Sequence, residues 1–360
     1  MKQHEIPCLF MRGGTSRGPF FQPGDLPAEP DVRDRVLLAA MGSPDARQID
    51  GLGGATTPTS KVAIVGRSER PDVDVDYLFA QISVQRAIVD TAPSCGNMLA
   101  AVGPFAIERG LVNAEDGETH VTIFNVNTQS RIDALVRTPH GEVSYEGDQT
   151  IDGVPGSAAP IALSFTNIMG SKCGAVLPTG LVQDVIDGVT ITCIDVAMPM
   201  VLIRATDLGI SGYETDEFAT NKALMKRIEG IRLIAGQRMG LADVADSVVP
   251  KVGVLAHARE GGVISSRYLT PHKLHDAHAV TGAICIASSV SIEGTVAGEL
   301  ATPRKETSGR VRIEHPSGMI EIELETTGSG PEINVRRAGT VRTARKIMDG
   351  RLFVPTSIWP

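Results

Sequence analysis

A chain of 360 residues, 42% hydrophobic and 21% charged, has enough apolar material for two ordinary cores and lies outside the disordered range. Its net charge of −8 disfavours nonspecific attachment to nucleic acid or anionic membranes, but leaves open small anionic ligands, which need only local donors. No apolar run approaches the roughly 18 residues of a membrane span and Met1 to Cys8 lacks a signal-peptide pattern, so the expected location is cytoplasmic; five scattered cysteines, Cys8, Cys95, Cys173, Cys193 and Cys285, argue against a disulfide framework.

In chain order, a first strand ends in Arg12-Gly13-Gly14-Thr15-Ser16-Arg17-Gly18, a loop with cations, hydroxyls and accessible backbone N–H groups. Asp31 to Met41 predicts a helix with Asp31 as N-cap and Val32, Val36, Leu37 and Ala40 on one side. Alternating Val, Ile and Thr predict strands over Val62 to Val65, Val73 to Val84, Val121 to Asn125, Arg131 to Val136 and Ile161 to Phe165. Between them, Ser94 to Arg109 turns from small and polar to apolar on every side, the mark of a helix inside a core. Gly110 is its natural C′ stop, and Pro104 predicts a kink or break within it. Thr215 to Ile234 predicts another helix, broken at Gly230. Ala279 to Ala287 repeats the small-then-apolar pattern about half a chain after the first. An α+β protein of two similar domains follows, each with strands around one buried helix. The divide is placed at 1–172 and 173–350, with the Gly-, Ser- and Pro-rich stretch Met169 to Gly180 as connection.

Three features could carry chemistry. Cys95-Gly96-Asn97 puts a thiol at a helix start, where free N–H groups favour a thiolate or bind a carboxylate; the same pattern also suits an inert buried cysteine. Lys61 stands where the loop Gly53-Gly54-Ala55-Thr56-Thr57-Pro58-Thr59-Ser60 enters an apolar strand. Partial desolvation there would free an amine as a base, while a solvated lysine at a strand edge is the ordinary alternative. Neither this loop nor the Arg12–Gly18 loop has the order of a P-loop or a dinucleotide fingerprint. His272, His275 and His278 have spacings that suit a single metal ion poorly if helical, so structural or substrate-contact roles are expected and no metal is assigned.

Taken together, Met11-Arg12-Gly13-Gly14-Thr15-Ser16, Gln48-Ile49-Asp50-Gly51-Leu52-Gly53-Gly54 leading to Thr59-Ser60-Lys61-Val62, Val75-Asp76-Tyr77-Leu78-Phe79, and Cys95-Gly96-Asn97 with Val102-Gly103-Pro104-Phe105-Ala106 resemble the methylaconitate isomerase family. Met41 to Arg47, Ile151 to Gly156 and Val341-Arg342-Thr343-Ala344-Arg345 resemble its 4-oxalomesaconate tautomerase branch. The resemblance runs nearly end to end. It implies the diaminopimelate epimerase fold, two similar domains each with a curved mixed sheet around a central helix, and a last strand near Arg351 to Val354 that packs back into the first domain.

It also implies a Lys61–Cys95 acid/base pair and no cofactor. The expected substrate is an unsaturated keto tricarboxylate from the breakdown of gallate or related aromatics, bound by Arg12, Gly14, Thr15, Ser16, Ser60, Gly96, Asn97, Met98, His272, Thr281 and Gly282. One departure matters: amino-acid epimerases of this fold carry a second cysteine at the second helix start, where this chain has Ala279-Val280-Thr281-Gly282. Two-cysteine racemisation is therefore not expected. A homodimer is one expected assembly. The competing readings are a methylaconitate or aconitate isomerase, a non-catalytic carboxylate-binding protein, and a metal hydrolase built on the histidines.

Overall fold

The computed structural model describes residues 3–245, 247–270, 273–303, 308–328 and 333–359. The chain forms two compact units, residues 1–163 with 341–360, and residues 164–340. The segment Met169 to Gly180 lies within the second unit.

The first unit contains β1 (Gln3–Gly13), β2 (Ser16–Phe21), α1 (Pro30–Met41), β3 (Lys61–Arg67), β4 (Val75–Ile82), the short β5 (Val89–Asp90), α2 (Gly96–Leu99), α3 (Val102–Glu108), β6 (Gly117–Asn125), β7 (Ser130–Thr138) and β8 (Pro160–Thr166). The second contains β9 (Asp184–Ile186), β10 (Val189–Asp195), β11 (Pro199–Arg204), α4 (Asp216–Thr220), α5 (Lys222–Arg238), β12 (Lys251–Ala256), β13 (Ile264–Leu269), α6 (Val280–Val290), α7 (Val296–Leu300), β14 (Gly309–His315) and β15 (Gly318–Thr327). A final long strand, β16 (Asn334–Pro355), serves both.

In the first unit the ladder runs β1-β2-β3-β4-β6-β7-β8-β16, and β16 pairs back onto β1, so eight strands close into a barrel with no free edge. The closing pair is antiparallel from Gln3↔Pro355 to Gly13↔Ala344, with one irregularity at Phe10/Met11. β3 is buried on both faces because different helices cover its two sides. Val62 and Ile64 join Val36, Leu37 and Met41 of α1 in one apolar cluster. Lys61, Ala63 and Val65 alternate to the other side, where α3 packs.

Every residue from Cys95 to Ala106 is buried, and α2 and α3 lie against β1, β2, β3, β6 and β7. A fully buried Leu or Phe here contributes about 1.5–3 kcal/mol, and Phe105 also meets Phe20 at 5.6 Å between ring centroids. The break in this helical stretch falls at Ala100–Ala101, one turn before the expected position. That shift puts Pro104 in the first turn of α3, where its missing N–H has no intrahelical partner to lose. The stop at Gly110 is as expected: Gly110 has φ +65°, its N–H reaches the Ile107 carbonyl at 3.0 Å, and the Leu111 N–H reaches that of Ala106 at 2.8 Å.

In the second unit the ladder runs β16-β15-β14-β13-β12-β11-β10-β9. α6, buried from Val280 to Ser289, packs on β10, β11, β12, β14 and β15, while α5 packs on β9 and β12. Two helix expectations are corrected. Pro30 occupies N1 of α1 and Glu29 is its N-cap, so Asp31 sits inside the first turn. The predicted Thr215–Ile234 helix breaks at Asn221, whose Oδ1 caps α5 by accepting from the Leu224 N–H at 3.0 Å, and Gly230 is ordinary helix interior. No helix among the described residues is long and apolar enough to cross a membrane.

Candidate active site

The inward face of β3 presents Lys61, and the residues paired with that face are Gln81, Phe79 and Tyr77 of β4. Lys61 is only 6% exposed and Cys95 4%. The Lys61 Nζ donates to Cys95 Sγ at 3.2 Å and to Ser16 Oγ at 3.0 Å, and stands 5.8 Å from the Phe79 ring centroid. An amine, a thiol and a hydroxyl therefore meet in one buried cluster, drawn from β3, the start of α2 and the start of β2.

Several short-range devices hold the cluster. Cys95 is the N-cap of α2, and its Sγ accepts from the Met98 N–H at 3.5 Å. The Tyr77 hydroxyl donates to the Cys95 carbonyl at 3.2 Å; burial, then the neighbouring Cys95, push its pKa well above the usual phenol value, so it remains a neutral donor. Asn127 bonds the Phe79 carbonyl and the Thr91 carbonyl, at 2.9 and 2.7 Å, tying β4 to the segment that leads into Cys95. On the lysine side, Gln48 Oε1 accepts from Ser60 Oγ and the Ala55 N–H, both at 2.8 Å, and Gln81 Nε2 donates to the Ser60 carbonyl at 2.9 Å. The loop before Lys61 is thus clasped by two glutamines.

The Gly13–Ser16 hairpin abuts the start of α2. A Cβ on Gly13 would lie 2.5 Å from the Asn97 carbonyl oxygen, and one on Gly14, where φ is +50°, would lie 2.2 Å from Asn97 Oδ1. Only glycine allows this approach. The Thr15 N–H donates to Asn97 Oδ1 at 3.3 Å, while Thr15 Oγ1 is sealed from solvent with no hydrogen-bond partner among the described residues. The hairpin is tied to β16 through Thr343, whose carbonyl accepts from the Gly14 N–H at 2.9 Å and from Arg12 Nη1 at 3.0 Å.

The structure therefore gathers Lys61, Cys95 and Ser16 directly, with Gly14, Thr15, Gly96, Asn97 and Met98 immediately around them. Arg12 spends Nη1 on Gly14, the Thr343 carbonyl and Thr343 Oγ1; burial, then Arg345, hold its pKa below the usual arginine value. The Ser60 hydroxyl is engaged with Gln48 and the Thr56 carbonyl, so it holds the loop. Thr281 and Gly282 belong to the second unit, at the first turn of α6. There Gly282 has a packing reason, since a Cβ would lie 2.3 Å from the Tyr268 ring. His272 lies outside the described residues. His278 sets its Nδ1 2.9 Å from the Ala279 carbonyl and its Nε2 3.1 Å from Ser266 Oγ. Among the described residues no three His, Cys, Asp or Glu come together as a metal-holding group.

Sequence reasoning did not single out Gln48, Tyr77, Gln81, Asn127 or Thr343 as individual site residues. Gln48, Tyr77 and Thr343 lie inside motifs that carry the family resemblance, whereas Gln81 and Asn127 act through pairings no local pattern encodes.

A buried amine and thiol joined by one hydrogen bond are equipped to exchange protons with a bound carbon acid, which is the working part of an enzyme that relocates hydrogen within a molecule. The family model described as PrpF protein matches residues 3–355, and the chain belongs to this family. It is 50% identical to the (4E)-oxalomesaconate Delta-isomerase of Novosphingobium sp. (strain KA1), over 97% of each chain. It is 49% identical to the 4-oxalomesaconate tautomerase of Pseudomonas putida, over 100% of this chain and 99% of that one. The crystal structure of methylitaconate-delta-isomerase is 36% identical, covers 99% of this chain and 97% of that one, and superposes with a TM-score of 0.78. The protein is an isomerase.

Proposed function

We propose that this isomerase acts on 4-oxalomesaconate or a closely similar unsaturated keto tricarboxylate, by cofactor-independent proton transfer between Lys61 and Cys95. The observation that carries the reading is the 3.2 Å contact between Lys61 Nζ and Cys95 Sγ inside a buried cluster. The neutral Lys61 amine removes a proton from the carbon next to the conjugated C=C–C=O system. The electron pair enters a delocalised dienolate, and the Cys95 thiol gives its proton to the far end. Lys61 is then an ammonium beside a thiolate, and returning the proton from Nζ to Sγ along the existing hydrogen bond restores both groups. The net result is a 1,3 shift with nothing consumed. Ser16, the unpartnered Thr15 hydroxyl and the N–H groups at the start of α2 supply donors for carboxylate and enolate oxygens.

The substrate assignment rests on the two relatives near 50% identity; a methylaconitate-type substrate would use the same pair. The gallate-type pathway, the cytoplasmic setting and a homodimer are part of the same reading. So is the finer fold assignment, diaminopimelate epimerase-like, supported by a buried central helix packed on strands in each unit.

The test is incubation with oxalomesaconate in D₂O followed by NMR. Deuterium wash-in and isomerisation are expected, reduced about 10²–10⁴-fold in Lys61→Ala and in Cys95→Ser. Near-normal turnover by both variants would refute the assignment, and ligand-induced thermal stabilisation without any wash-in would identify a carboxylate-binding protein instead.

A further inference from the structure

Arg342 is 7% exposed, yet its guanidinium has almost nothing to do within the protein. Among the described residues its one hydrogen bond runs from Nη1 to the carbonyl of its own neighbour, Val341, at 3.1 Å. Nε is sealed from solvent without a partner, and no ion pair forms among the described residues. Asp152 acts on it only through space. Burial depresses the arginine's pKa and Asp152 offsets only part of that effect, so the protein undersupplies counter-charge. A buried cation left this way is destabilising, and a chain carrying 42 carboxylate side chains had ample means to pair it.

The register shows where the side chain points. Gly13 pairs with Ala344 on one side and Ser16 on the other, so all three share one face of the sheet. That face is the one on which Gly13 meets Asn97 and Ser16 receives the Lys61 bond. Arg342 stands two residues before Ala344 in β16, so it returns to the same face about 6.6 Å further along the strand. Thr343, between them, holds the tip of the Gly13–Ser16 hairpin.

The geometry points to Arg342 as a carboxylate-binding residue of the Lys61–Cys95 site, its guanidinium completed by one carboxylate of the polyanionic substrate. This inference rests on the isomerase reading above and deepens it. The proton-transfer pair needs only a carbon acid, whereas the unpaired guanidinium selects a substrate whose carboxylate lies at a fixed distance from the reacting carbons. A planar fork meets a carboxylate with two parallel hydrogen bonds, which an ammonium cannot reproduce.

The experiment compares wild type, Arg342→Met and Arg342→Lys by turnover of oxalomesaconate and by thermal unfolding with and without citrate as a tricarboxylate probe. In Arg342→Met, KM is expected to rise about 10²-fold with kcat changed less than about tenfold. Because Arg342→Met removes the buried charge and orphans no partner among the described residues, the Tm of that variant without ligand is expected to equal or exceed that of wild type. Saturating citrate should raise the wild-type Tm by about 4 °C and leave that of Arg342→Met unmoved. Arg342→Lys should fold, with KM raised about tenfold. An unchanged KM, an equal citrate shift in wild type and Arg342→Met, or no citrate shift in wild type would overturn the proposal. If Arg342→Met fails to fold, a wild-type KM in Arg342→Lys would overturn it as well. Should the wild type turn over no oxalomesaconate, the substrate assignment falls by itself and the citrate comparison still decides Arg342.

Discussion

Lys61 depends on a glycine it never touches through a side chain. A Cβ on Gly18 would lie 1.7 Å from the Lys61 carbonyl oxygen, so β2 and β3 approach closely only because that position is bare. Gly18→Ala must push the Lys61 backbone away, and a displacement near 1 Å at a reacting group costs on the order of 10²-fold in rate. The expected outcome is a kcat lowered by about that factor, read from oxalomesaconate turnover, in a protein that still folds. The cysteines make a second expectation at this scale. Burial pushes Cys8 up to about 11, with Arg109 opposing and Asp349 adding, and pushes Cys193 and the partly buried Cys173 up to about 12, with Asp184 or Asp195 adding to it. Cys285 is raised further by burial. At pH 8 these four thiols are overwhelmingly protonated and poor nucleophiles. Inactivation by iodoacetamide at pH 8 should therefore follow modification of Cys95 alone and be slowed by substrate, as peptide mass mapping would show; inactivation that tracks another cysteine would contradict the site. The runs around Lys61 and Cys95 leave a reactive and an inert reading open for each residue, and it is the family resemblance that singles out the pair. Arg342 stands in the sequence only as one member of a family motif, since its meaning lies in a missing partner and a strand register, neither of which the order of residues displays.

At the scale of elements, legibility followed the burial pattern. β7 alternates buried and accessible positions and was read directly. β12, Lys251-Val252-Gly253-Val254-Leu255-Ala256, is buried at every position because α5 and α6 both pack on it, so period two is erased and it reads as an undifferentiated apolar run. The sequence points to Gly230 as the breaker, whereas the chain breaks nine residues earlier at Asn221, because a capping amide is the stronger device. Asp195, at the end of β10, gives this scale its prediction. It is fully buried, and its Oδ2 accepts from the Lys172 and Cys173 N–H groups, both at 2.8 Å, while Oδ1 has no hydrogen-bond partner among the described residues. Burial raises its pKa above the usual carboxylate value, with those two N–H groups opposing. A carboxyl whose folded pKa exceeds its unfolded one binds its proton more tightly when folded. The stability it contributes is full below pH 3.8 and declines as pH rises from there towards the folded value. Asp195→Asn keeps an acceptor for both N–H groups and removes the charge. Its Tm at pH 7 should equal or exceed that of wild type, with the advantage gone below pH 3.8; a clear loss of Tm at pH 7 would show that the charge itself holds the turn.

For the molecule as a whole, the C-terminal segment is what completes the first unit. Residues 341–360 belong to it although the chain makes all of the second unit in between. They form the strand that closes the barrel onto β1, reinforced by Arg109 with Asp349 at 2.9 Å and Lys346 with Glu108 at 2.6 Å. They also carry Thr343, on which the Gly13–Ser16 hairpin hangs, and Arg342 beside it. Exposed ion pairs of this kind contribute little, about 0–1 kcal/mol each, so the ladder and the buried inward residues must carry the closure. Removing everything after Thr340 leaves β1 with an unpaired edge along its length and frees the hairpin from its anchor, so that chain is expected to lose all isomerase activity and the cooperative melting of the first unit. Removing only residues 356–360 leaves the ladder whole. That deletion sacrifices the stacking of Trp359 on His4, at 5.0 Å between centroids, worth about 0.5–1.5 kcal/mol. It should lower Tm by a few degrees with kcat unchanged. Turnover and thermal melts of the two truncated chains separate these outcomes: an active chain ending at Thr340 would mean that the barrel, and the proton-transfer site within it, does not depend on its final strand.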